Sequence, residues 1–459
     1  MTALVEILVS LGGVVTGSDV ADQFYTDQIL NDLGVEVFQG FNAHQVPTNA
    51  QTAIFSAAYD PNTHAELVRL KELNIPLVQY NQALGQLSRQ FDSSGISGVH
   101  GKTTTTALAG VLVQALGLSG MVLTGSGVRN FAGRSVYFGG DDFFIAETCE
   151  YRRHFLAFSP NRIILTSLEE DHLDYYPTLQ SIEDAFYEYL DLLPDTGTLI
   201  YCFDDPGAKH LAETFAKLRP KVKQMPYGFS APGPGKITLV QGSAGEQRFT
   251  LGWTGGEVFH LRVPGNHTVL NAGAACLLVL SIIQDQQIDL SINQISEGLA
   301  KGLDGFLGTR RRSEIIGEAQ GILVLDDYGH HPKAIATTLR GYKDFYPRRR
   351  LVVSFMSHTY SRTGGLLNQF AQSFSDADLV ILHEIYASAR ETPIDGVSGQ
   401  VLYEKTLQYH PNVVYLPNHQ QALGSVIELL QPGDVFVTMG AGDNWKLGRK
   451  VLEYFHTQS

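Results

Sequence analysis

The sequence predicts an α/β protein of about three domains, and three observations carry that reading. The chain has 459 residues, more than one core ordinarily holds, and typical domain sizes divide it into roughly three. Strand-like apolar runs alternate with helical patterns along most of it, which implies parallel sheets with helices on their faces. A glycine-rich stretch, Gly98-Val99-His100-Gly101-Lys102-Thr103, lies where a strand gives way to a helix.

In residues 1–90 the pattern predicts a helix over Ala3–Leu11, a short strand over Gly13–Thr16, a helix over Thr26–Leu33 and a strand over Val35–Phe38. A third apolar run covers Ala53–Ala57, with a helix over His64–Leu73 and a fourth strand over Pro76–Tyr80 following it. A second unit, 91–309, opens at the glycine-rich stretch. It adds further βα units and, between Lys236 and Val263, a patch whose alternation and glycine turns predict β-hairpins. The third unit, 310–459, returns to βα alternation, with strands expected in GILVLDDY (321–328), RRLVVSF (349–355), ADLVILHEIY (377–386) and DVFVTMG (434–440).

Composition narrows the function. Hydrophobic residues make up 44% and charged residues 17%, ample for packed interiors. The net charge of −14 argues against nucleic acid or an anionic membrane as partner. No apolar run is expected to approach the ~18 residues of a membrane span, and the apolar opening lacks a basic leader and a cleavage site. Cys149, Cys202 and Cys276 lack metal-ligand spacing and are expected as reduced thiols, as in a cytoplasmic protein.

The strongest local signal is GVHGKTTTT (98–106). Glycines let backbone N–H groups turn onto phosphate oxygens, and the helix that follows directs its positive end at them. Gly98, His100, Gly101 and Thr104 are therefore candidate phosphate-binding positions. Lys102 would reach the outer phosphates, and Thr103 could place its hydroxyl on a magnesium ion. Two later segments end strands in acids: FFIAE, closing on Glu147, and IILTSLEEDHLD, with His172 inside an acidic cluster. Ligands of parallel sheets sit at the carboxyl ends of strands, so Glu147 and His172 can converge on the phosphates as metal ligands. Taken singly, each could equally be a strand-end acid or a structural histidine. Glu169, Glu170, Asp171 and Asp174 read as a solvated or supporting face.

Together these pieces resemble the Mur ligases of bacterial peptidoglycan synthesis and the related folylpolyglutamate synthases. The likeness covers nearly the whole chain and is anchored by GVHGKTTTT, Glu147, EEDHLD (169–174), GNHTVLN (265–271), FLGTRRRSE (306–314) and DDYGHHP (326–332). It implies an N-terminal Rossmann-like domain for a nucleotide sugar, a central P-loop ATPase domain and a C-terminal Rossmann-like domain for the amino acid. It further implies that ATP and magnesium (Mg2+) are the cofactors. Lys102 and Thr103 would hold phosphates and metal, Glu147 a first magnesium and His172 a second. Asn271 would contact the adenosine, Arg312 the γ-phosphate and Asp327 the ribose.

Within the family, DDYGHHP, SHTYSRT (357–363), Ile385-Tyr386 with Glu391, GVS (396–398), MGAGDN (439–444) and the variant ETCEYRRHFL (147–156) resemble the branch that joins L-alanine to UDP-N-acetylmuramate through an acyl phosphate. On that likeness His330, His358 and Arg362 line the alanine and acyl-phosphate region, while His330 and His331 could instead be a packed pair beside Pro332. The competing readings are a ligase that recycles intact tripeptide and an inactive ATP-binding homologue.

Some positions depart from the pattern. Met1 falls where the last residue of the family's GxGGxGM-type turn would be, so an N-terminal domain lacking its first strand is expected, from a misplaced start or a truncation. Thr268 and Ser167 stand where asparagine is usual. No lysine lies between His172 and Lys209 to be carbamoylated. Oligomeric state is left open.

Overall fold

In this computed structural model the described residues are 1–22, 24–171, 175–240, 245–387 and 391–457. His172 lies outside them. Two compact units divide the chain: Met1–Lys236 with Gly273–Gly302, and Ile237–Ala272 with Leu303–Ser459.

The first unit begins with α1 (Thr2–Ser10), β1 (Thr16–Asp19), α2 (Tyr25–Asp32), β2 (Glu36–Gln39), β3 (Ala53–Phe55), α3 (Ala65–Glu72), β4 (Leu77–Gln79) and α4 (Tyr80–Ser88). Pairing is parallel, as expected, but confined to two separate ribbons, β1 with β2 and β3 with β4. The first strand lies three residues later than its apolar pattern suggests. Gly13 N donates to Leu8 O, which continues the turn after α1, and Val14 is almost fully exposed at 99%. Apolar character at Val14 therefore reports no burial.

The rest of this unit is built on β5 (Asp92–Ser97), α5 (Lys102–Leu116), β6 (Gly120–Leu123), β7 (Val136–Phe138), β8 (Phe143–Glu147), β9 (Arg162–Leu165), α6 (Leu179–Leu190), β10 (Thr198–Cys202), α7 (Pro206–Leu218) and β11 (Lys223–Tyr227). These strands form one seven-stranded sheet in the order β11-β10-β9-β5-β8-β6-β7, parallel except for β7. Buried Ile96, Phe144, Ile145, Ile163, Ile164, Leu199 and Ile200 fill it, the near-continuous apolar reading of strands covered on both faces. The central place of β5 matters most. Its register sets Ile96 beside both Glu147 and Ile164, so the chain leaving β5 runs between the ends of β8 and β9.

Helix α8 (Asn266–Asp285) is long and apolar enough to cross a membrane by length and composition, with 83% of its apolar window buried inside the fold. That corrects the expectation that no apolar run approaches this length, because Asn271 and Ser281 interrupt the run without lowering its mean hydropathy of 1.6 below that of a span; burial marks it as a core helix. Helix α9 spans Ile292–Asp304.

In the second unit the expected hairpins form a three-stranded antiparallel sheet of β12 (Ile237–Val240), β13 (Gln247–Leu251) and β14 (Phe259–Leu261). A six-stranded sheet follows, in the order β15-β16-β20-β17-β18-β19. Four of its strands are those expected: β16 (Ile322–Asp327), β17 (Arg350–Phe355), β18 (Leu379–Leu382) and β20 (Asp434–Met439). The other two, β15 (Glu314–Ala319) and β19 (Val413–Tyr415), are edges that the pattern did not reveal. Among the helices here are α10 (Pro332–Phe345), α11 (Tyr360–Gly365), α12 (Leu367–Gln372), α13 (Gly399–Thr406), α14 (Leu423–Leu429) and α15 (Trp445–Thr457).

Candidate active site

The phosphate loop leaves β5 and becomes α5. Gly98 has φ +132°, and a Cβ there would stand 2.1 Å from Thr166 Oγ1, so both backbone angle and space demand glycine. Gly101 caps α5 in the left-handed region at φ +83°. Three backbone bonds and one ring contact tie the loop to the end of β9. Val99 N donates to Ser167 O at 3.1 Å, His100 N to Ser167 Oγ at 2.8 Å, and Thr166 Oγ1 to His100 O at 2.5 Å. The His100 ring places Nε2 2.6 Å from Glu169 Oε1.

Lys102 Nζ donates to Gly98 O and to a carboxylate oxygen of Glu150 at 2.9 Å. Glu150 is 2% exposed and Lys102 13%. Burial opposes the ammonium charge, but Glu150, with Glu147 nearby, outweighs it and raises the lysine above its ordinary pKa. Tyr176 OH donates to Glu150 O at 2.6 Å and fixes that turn. Thr103, buried in the first turn of α5, donates to Glu147 Oε1 at 3.1 Å, while Gly125 N donates to Glu147 Oε2 at 2.8 Å. A hydroxyl and a carboxylate at this separation are the oxygen donors a hard divalent cation takes. Thr104 is half-buried one residue further. A cavity of about 340 Å³ opens beside Glu147, with Thr26, Tyr80, Asn81, Thr124 and His154 among its lining.

The second unit gathers the C-terminal candidates. Asp327, at the end of β16, is buried. It accepts from Ser313 N and Gly329 N, both at 2.7 Å, and from Tyr342 OH at 3.4 Å. Its carboxylate thus fastens the TRRRSE segment to the DDYGHHP turn. Arg311 is engaged internally, with Asp326 at 3.0 Å and Gly440 O at 2.6 Å, whereas Arg312 lies over the Tyr328 ring at 5.0 Å. Beyond that turn the His330 and His358 rings stand 6.3 Å apart, and His358 stacks on Tyr386 at 5.9 Å. Arg362 Nη1 approaches His358 Nδ1 at 3.5 Å. Glu391 accepts from the Tyr360 and Ser361 amides at 2.7 and 3.2 Å, closing the turn that opens α11. Asn271 is buried on α8.

Comparison with known proteins decides the family. The Mur ligase family catalytic domain model matches residues 1–92, the Mur ligase middle domain 96–279, and the Mur ligase glutamate ligase domain 311–442. The UDP-N-acetylmuramate–L-alanine ligase of Treponema pallidum (strain Nichols) is 48% identical over 455 residues, 99% of this chain and 94% of its own. The chain belongs to the Mur ligase family. The ligase of the same name from Borreliella burgdorferi is 36% identical, over 97% of this chain and 94% of its own. The crystal structure of UDP-N-acetylmuramate-alanine ligase from Thermotoga maritima has the same fold, with a TM-score of 0.76 at 23% identity, covering 100% of this chain and 97% of that one.

Within this Mur ligase the loop residues Gly98, His100, Gly101, Lys102 and Thr103 come together with Glu147, and His330, His358 and Arg362 with one another. Glu150 has no role in the sequence reading, whereas Glu169, expected on a solvated or supporting face, takes the supporting part by holding His100. The available signal was position: both lie within four residues of the end of a strand that flanks β5.

Proposed function

We propose that this Mur ligase uses ATP to join L-alanine to UDP-N-acetylmuramate, a step of peptidoglycan precursor synthesis. The observation that carries this reading is an assembled phosphate loop, with Lys102 on Glu150 and Thr103 on Glu147, in a chain similar along 99% of its length to ligases of that name. ATP supplies a phosphoryl group that activates the sugar's carboxylate as an acyl phosphate. Magnesium would be held by Thr103 and Glu147, and His172 remains a proposed ligand of a second ion.

The chain's own residues do the rest. Gly98, His100, Gly101 and Thr104 line the phosphates with the N-terminus of α5 behind them. Lys102 offsets the negative charge that builds on the transferring oxygens, and Arg312 is assigned to the γ-phosphate. Asn271 and Asp327 are assigned to adenosine and ribose, Asp327 while also anchoring the loop at Ser313. The cavity beside Glu147 is where we seat the sugar's carboxylate, since the nucleophile must approach the phosphoryl group there. Arg362 presents a planar guanidinium suited to alanine's carboxylate, and His358 or His330, within one cluster, takes the proton from the attacking amine. We keep the division 1–90, 91–309 and 310–459 for the sugar, ATP and amino-acid domains, and place the reaction in the cytoplasm, in keeping with three free thiols.

The test is mass-spectrometric detection of UDP-N-acetylmuramoyl-L-alanine from ATP, the sugar nucleotide and an equimolar mixture of L-alanine and intact tripeptide. The alanyl product is expected. A tripeptide product would instead assign the protein to recycling.

A further inference from the structure

The phosphate loop is fastened at three kinds of atom on one residue. His100 gives its amide to Ser167, accepts the Thr166 hydroxyl on its carbonyl, and places its ring 2.6 Å from Glu169. Backbone clamps of this kind fix where the loop runs. The ring is a separate contact, made to Glu169, which is 19% exposed and on the same 166–169 segment. The parallel register explains why the segment can act as a unit: Ser97 pairs with Leu165, so loop and clamp leave adjacent strands side by side.

We propose that Glu169 is a positioning residue for ATP, acting through His100: it fixes the imidazole on a loop whose course the backbone clamps set, so that residues 98–103 meet the triphosphate preorganised. Held donors cost less to engage than donors that must be ordered on binding. The proposal rests on the reading of this loop as the ATP site and concerns neither the amino acid nor the sugar.

The test is a double-mutant cycle read by direct ATP binding to the full chain, with turnover measured in parallel. Glu169→Ala and His100→Ala are each expected to weaken ATP about 10-fold and to leave KM for L-alanine and for the sugar nucleotide within 2-fold. The double variant is expected to bind no worse than His100→Ala, because the second change removes a contact already lost. Glu169→Gln, nearly the same shape and still able to meet the ring, should recover most of the affinity and melt close to the parent. Effects that multiply to about 100-fold in the double variant would overturn the proposal. So would unchanged ATP binding in Glu169→Ala, or a change confined to KM for alanine. A parent chain that binds no ATP would overturn the reading of the site itself, a result distinct from all of these.

Discussion

Lys102 and Glu150 form a largely buried ion pair between the phosphate loop and the turn after β8, and the two partners have different consequences when removed. Lys102→Ala deletes the charge that faces the phosphoryl oxygens; kcat should fall by at least about 10²-fold, with the fold retained, as read by ATP turnover beside a melting curve. Glu150→Ala leaves a desolvated ammonium without its partner and should cost about 3 kcal/mol of stability, measured by denaturant unfolding, since breaking a buried pair from one side typically costs about 3–5 kcal/mol. Glu150→Gln, which keeps an acceptor near Nζ, should cost less. The loop residues were legible because glycine, lysine and threonine follow one another in a pattern with its own physics. Their acidic partners were not, because Glu150 and Glu169 reach the loop only through strand order, and nothing local in ETCEYR or TSLEED announces a neighbour about 50 or 70 residues upstream.

At the scale of elements, two buried titratable groups couple packing to pH with opposite signs. Glu6 projects from α1 with its side chain buried and Arg134 Nη1 3.6 Å away. Burial raises its pKa to about 7, with Arg134 opposing only in part. The folded state therefore holds a proton that the unfolded chain has lost between pH 4.5 and 7. The contribution is fully present below pH 4.5 and disappears as pH rises through 7, a loss of at most about 3 kcal/mol. Glu6→Gln should flatten that slope and stabilise the first unit at pH 8. His383 behaves in the reverse sense. It is buried after β18, where Ser354 Oγ lies 2.7 Å from Nε2 and Leu416 O 2.7 Å from Nδ1. Burial depresses its pKa to about 4, with the Leu416 carbonyl opposing. Its contribution is complete above pH 6.5 and is lost as pH falls toward 4, again by about 3 kcal/mol. Denaturant melts of His383→Gln against the parent at pH 5 and pH 7.5 should show the acid sensitivity reduced.

The elements also show which patterns carry information. Near-continuous apolar runs, buried along almost their whole length, gave β16, β17, β18 and β20 close to their expected places. Helix α4 was missed because YNQALGQLS carries few apolar residues; its start is fixed by Gln82 Oε1 accepting from Gln79 N at 3.2 Å. The edge strand β15 was missed because EIIGEA is only half-covered, and β19 because VVY is half-covered and three residues long.

For the whole molecule, the sheet order β11-β10-β9-β5-β8-β6-β7 is what turns scattered motifs into a site. It delivers residues 98–103, 147–150 and 166–169 to the carboxyl end of one sheet, the general place for ligands in such folds. The second unit repeats the logic: the Asp327 turn follows β16 and the His358 turn follows β17, on either side of β20. A net charge of −14 means that anionic substrates are held by these local cations against the overall field.

The central claim is tested most directly by phosphate release from ATP with each substrate supplied alone and together. Release that appears only when both UDP-N-acetylmuramate and L-alanine are present, and is absent in Lys102→Ala, is the expected result. Release driven by a different acid and amine, or independent of L-alanine, would contradict it.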